Sequence, residues 1–428
     1  MPGGGDTQDL KLEGRLASLR RRYPSIDDLE RRARRRIPHF AYEFIQGGAG
    51  DESGLTRNRA ALRGIEVVPR YGMDVSKVDT TVELFGRRYA APIGISPIGF
   101  DGLMWPGATQ RFARAAQASN IPYLVGTLAT ATIEKVAEWA PDVTWFQLYP
   151  LPADDHRVSF DLAARAEAAG AKVLVATLDV PVRVKRPRDL RNGFVIPFRM
   201  SPKHVLDALL AVPWLFALAR EGMPRFANIE RYSGSDGDAG PRFVQQHVGG
   251  GFTWEALARV RDKWPRPMLV KGVMHPDDAE RAMQLGMDGV IVSNHGGRQF
   301  DAAPASIDVL PHIARTVGKR GTVMLDSGVT SGVDMLRAIA CGAQGTFAGR
   351  AFMLGLAALG DHGATHVARA FVEEFGSALG QSGITDVATA RRAPVRHPTA
   401  WTKADFERWN EWVGDDQTSG ALRAASAA

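Results

Sequence analysis

Asp288-Gly289-Val290-Ile291-Val292-Ser293-Asn294-His295-Gly296-Gly297-Arg298-Gln299-Phe300-Asp301 reads as a strand that runs into a loop. The short β-branched apolar run at its start is the pattern of a buried strand. The strand stops at a polar cluster with two glycines. Loops held at the end of a rigid strand are where barrel enzymes place their chemistry. His295 and Arg298 sit three residues apart there. An imidazole accepts a proton near neutral pH. A guanidinium grips a carboxylate at two points. Together they suggest proton removal from a substrate that bears a carboxylate. Taken alone, the stretch reads equally as a surface loop that contains a His and an Arg.

Outward from that strand, the chain beats regularly from Ala91 onward. Apolar strands are expected at 93–97, 123–127, 144–149, 172–179, 268–271, 289–293, 323–327 and 346–349. Ala/Leu/Arg segments with helical spacing lie between most of them, such as 108–120, 162–170 and 276–286. Eight strand–helix units mean an α/β chain with a parallel sheet. Eight favours closure into a (β/α)8 TIM barrel over an open sheet, with a doubly wound fold as the alternative. Upstream, Ser25-Ile26-Asp27-Asp28 reads as a helix start, a hydroxyl cap followed by acids. That helix breaks near Pro38, and a second runs from His39 to Gln46. The expected division is a basic, poorly ordered arm over 1–24, a barrel over 25–395 and a tail over 396–428. The last dozen residues are expected to be disordered.

The interval between the fourth and fifth strands is too long for an ordinary loop. Residues 184–252 therefore form a lid or an interaction segment inserted after strand four. Within it, residues 208–219 are a dense apolar run flanked by Lys203 and Arg220. The run is too short to span a bilayer. It could lie on a membrane interface, pack on a partner subunit, or fold onto the barrel. Residues 234–251, rich in Ser, Gly, Asp and Gln, read as mobile.

Composition narrows the class. The 428 residues are 45% hydrophobic, enough for a large core. A single cysteine, Cys341, excludes an internal disulfide framework and suits a reducing compartment, so a cytoplasmic location is expected. No Cys/His cluster has zinc spacing, and no metal is expected. The net charge is +6, and the first 40 residues supply +4 of it, from Lys11 and nine arginines against six acids. The excess is a local arm. No aromatic residues interleave with it, so nucleic acid is not expected; an anionic membrane surface or plain solubility accounts for it better. The N-terminus has no apolar h-region, so no signal peptide is expected.

In a barrel the strand ends converge on one face. Gln147 and Tyr149 end the third strand, and Thr177 and Asp179 the fourth, with Arg186 in its loop. Lys271 ends the fifth. His295 and Arg298 follow the sixth. Asp326-Ser327-Gly328-Val329 follows the seventh and Gly349-Arg350 the eighth. Glycine and charge after the last two strands suit a phosphorylated ligand; two tight turns that need glycine are the plainer alternative.

Read together, Ile291–Asp301 as IVSNHGGRQFD, Trp145–Tyr149 as WFQLY, Leu269–Val273 as LVKGV, Leu325–Gly328 as LDSG, and Gly349-Arg350 resemble the FMN-dependent L-2-hydroxy acid oxidising family. That family includes glycolate oxidase, lactate dehydrogenase and oxidase, and mandelate dehydrogenase. The similarity runs in order from about Ile37 to about Gly383. It implies that His295 is the active-site base and that Asp179 stabilises its imidazolium. Arg298 and Arg186 would grip the substrate carboxylate, and Tyr149 would hydrogen-bond near the reacting carbon. Lys271 would lie by the flavin N1–C2 edge. Thr127, Gln147, Thr177 and Ser293 would bind the ring and ribityl chain, and Pro97, Ile98 and Gly99 would pass by N5. Asp326, Gly328, Gly349 and Arg350 would serve the ribityl–phosphate end. The resemblance further implies FMN as cofactor and a homo-oligomer, commonly a tetramer.

The chemistry agrees with those residue types. The α-hydrogen of a 2-hydroxy acid is not acidic in water, so its removal needs charge stabilisation in a dry site. His295 takes a proton from carbon or from the hydroxyl; both remain open.

Departures from the family pattern are informative. Phe44 stands where the family carries a second active-site Tyr, which removes one contact unless Tyr42 or a water substitutes. Thr330 stands where a phosphate-binding Arg is expected, so Arg350 and backbone N–H groups would carry more of the load. Leu128 replaces a Trp of glycolate oxidase, and Gly99 replaces the Ala typical of oxidases. Both widen the pocket toward a bulky or aromatic side chain. Gly99 and the segment Gly222–Asn228 resemble mandelate dehydrogenase, which also points to peripheral membrane contact through 203–226 on the inner face of the cell membrane. The resulting expectation is oxidation of an L-2-hydroxy acid to the 2-keto acid, with a quinone or protein carrier as acceptor. An oxygen-using oxidase that yields peroxide, an enzyme acting on a peptide or natural product, and a flavin-binding relic are the rivals.

Overall fold

The computed structural model describes residues 5–193, 200–233 and 239–407. Eight parallel strands close a barrel in chain order: β1 (Ile93–Ile95), β2 (Tyr123–Gly126), β3 (Thr144–Leu148), β4 (Leu174–Thr177), β5 (Met268–Val273), β6 (Gly289–Val292), β7 (Thr322–Leu325) and β8 (Gly345–Ala348). All eight expected strands are present, and the open-sheet alternative is excluded by the closure. Every residue of β2, β3, β4 and β6 is buried, which explains their unbroken apolar runs. Seven strands end earlier than expected, because the polar residues at their C-terminal ends leave the ladder to build loops.

Strand β5 runs two residues further than expected. Its register against β6 shifts between Lys271 and Val273. Gly272 sits at φ +96°, and a Cβ there would come 2.6 Å from the Cβ of Asp179. Only glycine lets β5 bulge past Asp179. The bulge leaves Lys271 buried, with its side chain 4% exposed.

At the other end of the barrel, the hairpin Val82–Leu84/Arg87–Tyr89 meets Trp145, whose Nε1 donates to the Tyr89 hydroxyl at 3.1 Å. The N-terminal helices begin as the sequence indicates. Ser25 caps the helix Ile26–Ala33 in a reciprocal box with Asp28, and the next helix spans His39–Gln46.

Two expectations are corrected. The first 24 residues were expected to be poorly ordered, but Gly5–Arg22 is helical. It docks on the helix Gly363–Gln381, with Leu16 buried and Glu13 bridging Arg369 at 2.5 Å. Its arginines find acids, such as Glu373 beside Arg20, that are remote in sequence. The stretch 234–251 was expected to be mobile, but Ala239–His247 is a helix with Val244 buried. Its Phe243 and His247 rings stack at 4.2 Å, and Gly250 N–H donates to Pro181 O at 2.7 Å. Residues 234–238 and the last dozen residues lie outside the described ones.

The long interval after β4 carries the helices Pro187–Arg191, Pro202–Leu210, Val212–Glu221, Glu230–Ser233 and Ala239–His247. The dense apolar run is two helices that meet at Ala211 with a bend of 100°. Among the described residues, no single helix is long and apolar enough to cross a membrane; the bent pair together has the required length and composition. Ala208, Ala211 and Trp214 face inward, and Trp214 Nε1 donates to Leu103 O at 3.0 Å. Leu206, Leu209, Leu210, Val212 and Phe216 face outward, with Leu210 and Phe216 each 73% exposed.

Candidate active site

The C-terminal ends of the strands and the long insertion enclose a cavity of about 1080 Å³. Strand β6 delivers His295 into it. The backbone at His295 is left-handed, with φ 57°, and Gly296 and Gly297 continue that turn. Such a conformation is strained for a side-chain-bearing residue and persists only where its surroundings over-determine it. They do so here. Asn294 and Gly296 both donate N–H to Ser327 Oγ, at 3.3 and 2.9 Å. The Asn294 and Asn58 amides exchange two bonds, at 2.9 and 2.7 Å, in a buried setting. Gly297 N–H returns to Asn294 Oδ1 at 3.1 Å.

His295 Nδ1 meets Asp179 Oδ1 at 2.8 Å, and its Nε2 lies 3.3 Å from the Tyr149 hydroxyl. A carboxylate on Nδ1 makes that nitrogen the N–H donor and leaves Nε2 as the lone-pair side. Burial alone would raise the Asp179 carboxyl, but Lys271 and His295 outweigh it and hold it below its ordinary value. Burial and the Asp179 charge push the Tyr149 phenol up to about 12, so it stays an O–H donor. Lys271 Nζ donates to Ser293 Oγ at 2.7 Å and stands 3.2 Å from Asp326 and 3.7 Å from Asp179. Burial pulls Lys271 down, yet those two carboxylates carry it up to about 12. It is a permanent cation in the floor of the cavity.

Three guanidiniums crowd the wall. Arg298 Nη1 donates to the carbonyls of Phe44 and Gly47 at 2.8 and 2.7 Å. Burial, then Arg186 and Arg350, press its pKa well down. Arg186 reaches Asp189 at 3.5 Å. Arg350 is pressed down to about 10 by burial and by Arg59 and Arg186. Buried cations that repel one another call for anions between them. Phe44 presents its ring to Arg298, 4.8 Å from the guanidinium carbon, where a tyrosine hydroxyl was expected. Tyr42 does not substitute, because its hydroxyl donates to Glu30 Oε1 at 3.0 Å.

The sequence-derived residues Phe44, Pro97, Ile98, Gly99, Leu128, Gln147, Tyr149, Thr177, Arg186, Lys271, His295, Arg298, Asp326, Gly328, Gly349 and Arg350 all line this one cavity. Thr127, Asp179 and Ser293 stand behind its wall. Thr127 donates N–H to Gln147 Oε1 and its hydroxyl to Gln147 O, at 3.2 and 2.7 Å. Ser293 positions Lys271 and accepts from His295 N–H at 3.0 Å. Sequence reasoning missed Arg59, Phe226, Val244 and Val248, which also line the cavity. Phe226 lies in the segment already singled out at 222–228; no strand rhythm marks the helix that carries Arg59.

These residues suit a flavin mononucleotide. A buried ammonium in the floor, amide and hydroxyl groups on Gln147 and Thr177, and glycine with arginine at the far end match a polar ring edge followed by a phosphate. Comparison with known proteins agrees. The (S)-mandelate dehydrogenase of Pseudomonas putida is 36% identical over 365 residues, which cover 85% of this chain and 91% of that protein. An L-lactate dehydrogenase of Caulobacter vibrioides is 38% identical over 370 residues, covering 85% and 95%. The crystal structure of the monotopic membrane protein (S)-mandelate dehydrogenase superposes with a TM-score of 0.83 at 34% identity, covering 87% of this chain and 99% of that one. The model of FMN-dependent dehydrogenases matches residues 33–397, so the chain belongs to that family and is an FMN-dependent enzyme that oxidises 2-hydroxy acids.

Proposed function

We propose that the substrate is an L-2-hydroxy acid with a bulky or aromatic side chain, mandelate-like, and that the product is its 2-keto acid. The observation that carries this reading is the apolar part of the cavity. Gly99 leaves the space beside Leu128 open, since a Cβ on it would already touch Leu128 at 3.4 Å. Phe100 stacks on Phe226 with ring centroids 4.5 Å apart, and Val180, Val244 and Val248 complete the lining. A methyl side chain would leave most of that surface uncovered, whereas an aryl ring would cover it.

These roles are proposed, and the geometry supports them. Arg298 and Arg186 hold the carboxylate and so select handedness. Tyr149 donates to the substrate oxygen. His295 Nε2 takes the proton, and Asp179 on Nδ1 stabilises the imidazolium that results. Lys271 keeps positive charge beside the cofactor ring. Gln147 and Thr177 hold the ring edge, Pro97, Ile98 and Gly99 flank it, and Asp326, Gly328, Gly349 and Arg350 serve the ribityl–phosphate end. FMN, when bound, supplies the two-electron acceptor.

The acceptor of the next step is a quinone or another carrier, with the enzyme peripheral on the inner face of the cell membrane. The outward apolar face of the helix pair supports this, with Lys203 and Arg220 at its edge to meet anionic headgroups. A homo-oligomer is proposed by family resemblance.

The test is anaerobic bleaching of the flavin band with L-mandelate and L-lactate in parallel, followed by air. Bleaching by mandelate with slow recovery in air is expected. Equal or faster bleaching by lactate would remove the aromatic reading. Fast recovery with peroxide would make the enzyme an oxidase.

A further inference from the structure

The phosphate end of the cofactor cavity lacks a cation where the family pattern has one. Thr330 stands there, and it is fully engaged. Its N–H and its hydroxyl both donate to Asp334 Oδ2, each at 3.0 Å. Thr330 thus borders the cavity without a cation to offer it. Arg350 is the cation that remains on the barrel, but it is partly committed. Its Nε donates to Ile45 O at 3.0 Å, Nη1 to Gly296 O at 2.9 Å and Nη2 to Gly47 O at 3.0 Å. Those bonds tie the N-terminal helices to the β6 loop. A phosphate monoester near neutral pH carries between one and two negative charges. One partly committed arginine is a thin answer to it.

A second cation arrives from outside the barrel. The helix Ser53–Gly64 packs tightly on the loop after β7: a Cβ on Gly328 would come 3.2 Å from both Asn58 Cβ and Asn58 O. Arg59, the next residue, is half-buried and lines the cavity together with Gly328, Thr330, Gly349 and Arg350. Among the described residues it forms no hydrogen bond or ion pair. Its charge is close enough to depress the Arg350 guanidinium. Two guanidiniums repelling across a space with no carboxylate partner for Arg59 are stabilised by a bound anion.

We propose that Arg59 is a phosphate ligand for FMN in this enzyme and replaces, from the N-terminal helices, the arginine that is absent at position 330. The phosphate site is thus shared between the barrel and the helix laid over it.

The test separates phosphate from ring. Full-length protein freed of flavin is titrated with FMN and with riboflavin, which has the ring and ribityl chain but no phosphate, and binding is read from flavin fluorescence. In Arg59→Ala and Arg59→Gln, FMN affinity is expected to fall by roughly tenfold or more, as for loss of a charge-assisted contact. Riboflavin affinity is expected to stay at the wild-type value. Adding Thr330→Arg to Arg59→Ala is expected to restore FMN affinity. Unchanged FMN affinity in both Arg59 variants overturns the proposal. So does an equal loss for FMN and riboflavin, which would mean that Arg59 supports the fold.

Discussion

The β6 loop and the insertion after β4 border the same cavity and are built in opposite ways. In the loop, nearly every polar group from Asn294 to Gly297 is answered by a named partner, and a strained His295 is held by Asp179, Tyr149 and Ser327. The insertion offers its neighbours mainly apolar side chains, and several of them point away from the protein. Polar anchors tie it down at intervals: Arg188 on Glu43 and Glu52, Glu221 on Arg111, Tyr232 on Asp161, Trp214 on Leu103 O, Arg183 on Val244 O, and Asn228, which accepts from Ile133 N–H at 2.9 Å. The difference teaches a division of labour. Proton transfer needs atoms held to a few tenths of an ångström, and a strand end provides that. The side-chain selection and membrane contact proposed for the insertion need shape and area, which a helical segment can change without moving His295.

Breaking the loop should be costlier than altering the insertion. His295→Ala is expected to lower kcat/KM by roughly 100- to 10,000-fold while FMN stays bound, as checked by single-turnover bleaching of the flavin band. A smaller loss would move the base elsewhere. Asn294→Ala strands the buried Asn58 amide and should cost about 2 kcal/mol, seen as a lower midpoint in denaturant melts. No loss there would mean that the His295 turn holds itself.

In the insertion, Phe226→Ala should leave lactate turnover nearly unchanged and weaken discrimination for mandelate by about tenfold, read as the ratio of the two kcat/KM values. An unchanged ratio would place the side-chain pocket elsewhere. Leu210→Glu with Phe216→Glu should abolish sedimentation with anionic vesicles and leave turnover with a soluble dye intact. Persistent sedimentation would move the membrane contact to another surface.

The smallest effect concerns pH. Lys271 and Tyr149 are both raised to about 12, so their protons are fully present below that range and leave only as pH rises through it. Asp179 is lowered, so its charge persists as pH falls through the ordinary carboxylate range. On the alkaline side, up to about pH 10, these three groups should add no slope to the bleaching rate. An alkaline fall centred near pH 9 would contradict the assignment.

Much of the molecule was legible in one dimension. Short apolar runs announced eight strands, because a strand covered on both faces has little room for alternation. Polar residues at the ends of those runs marked the cavity wall, because parallel strands point all their C-terminal ends the same way. That His295, Arg298, Arg186 and Lys271 share one cavity, with Asp179 against His295, was therefore readable, and so was FMN through the motifs that contain them. Tertiary structure alone decided the rest. Whether Thr127 and Ser293 touch the cavity or stand behind it depends on how far each strand runs before its loop. Whether Phe44 is a loss or a substitute depends on Arg298 meeting its ring. The arm over residues 1–24 has no partner within its own sequence, so its helix is visible only against Glu373 and Arg369. Arg59 lies far in sequence from Gly328 and Arg350. Only the packing of one helix over the barrel brings a lone guanidinium to the place where the chain omitted another.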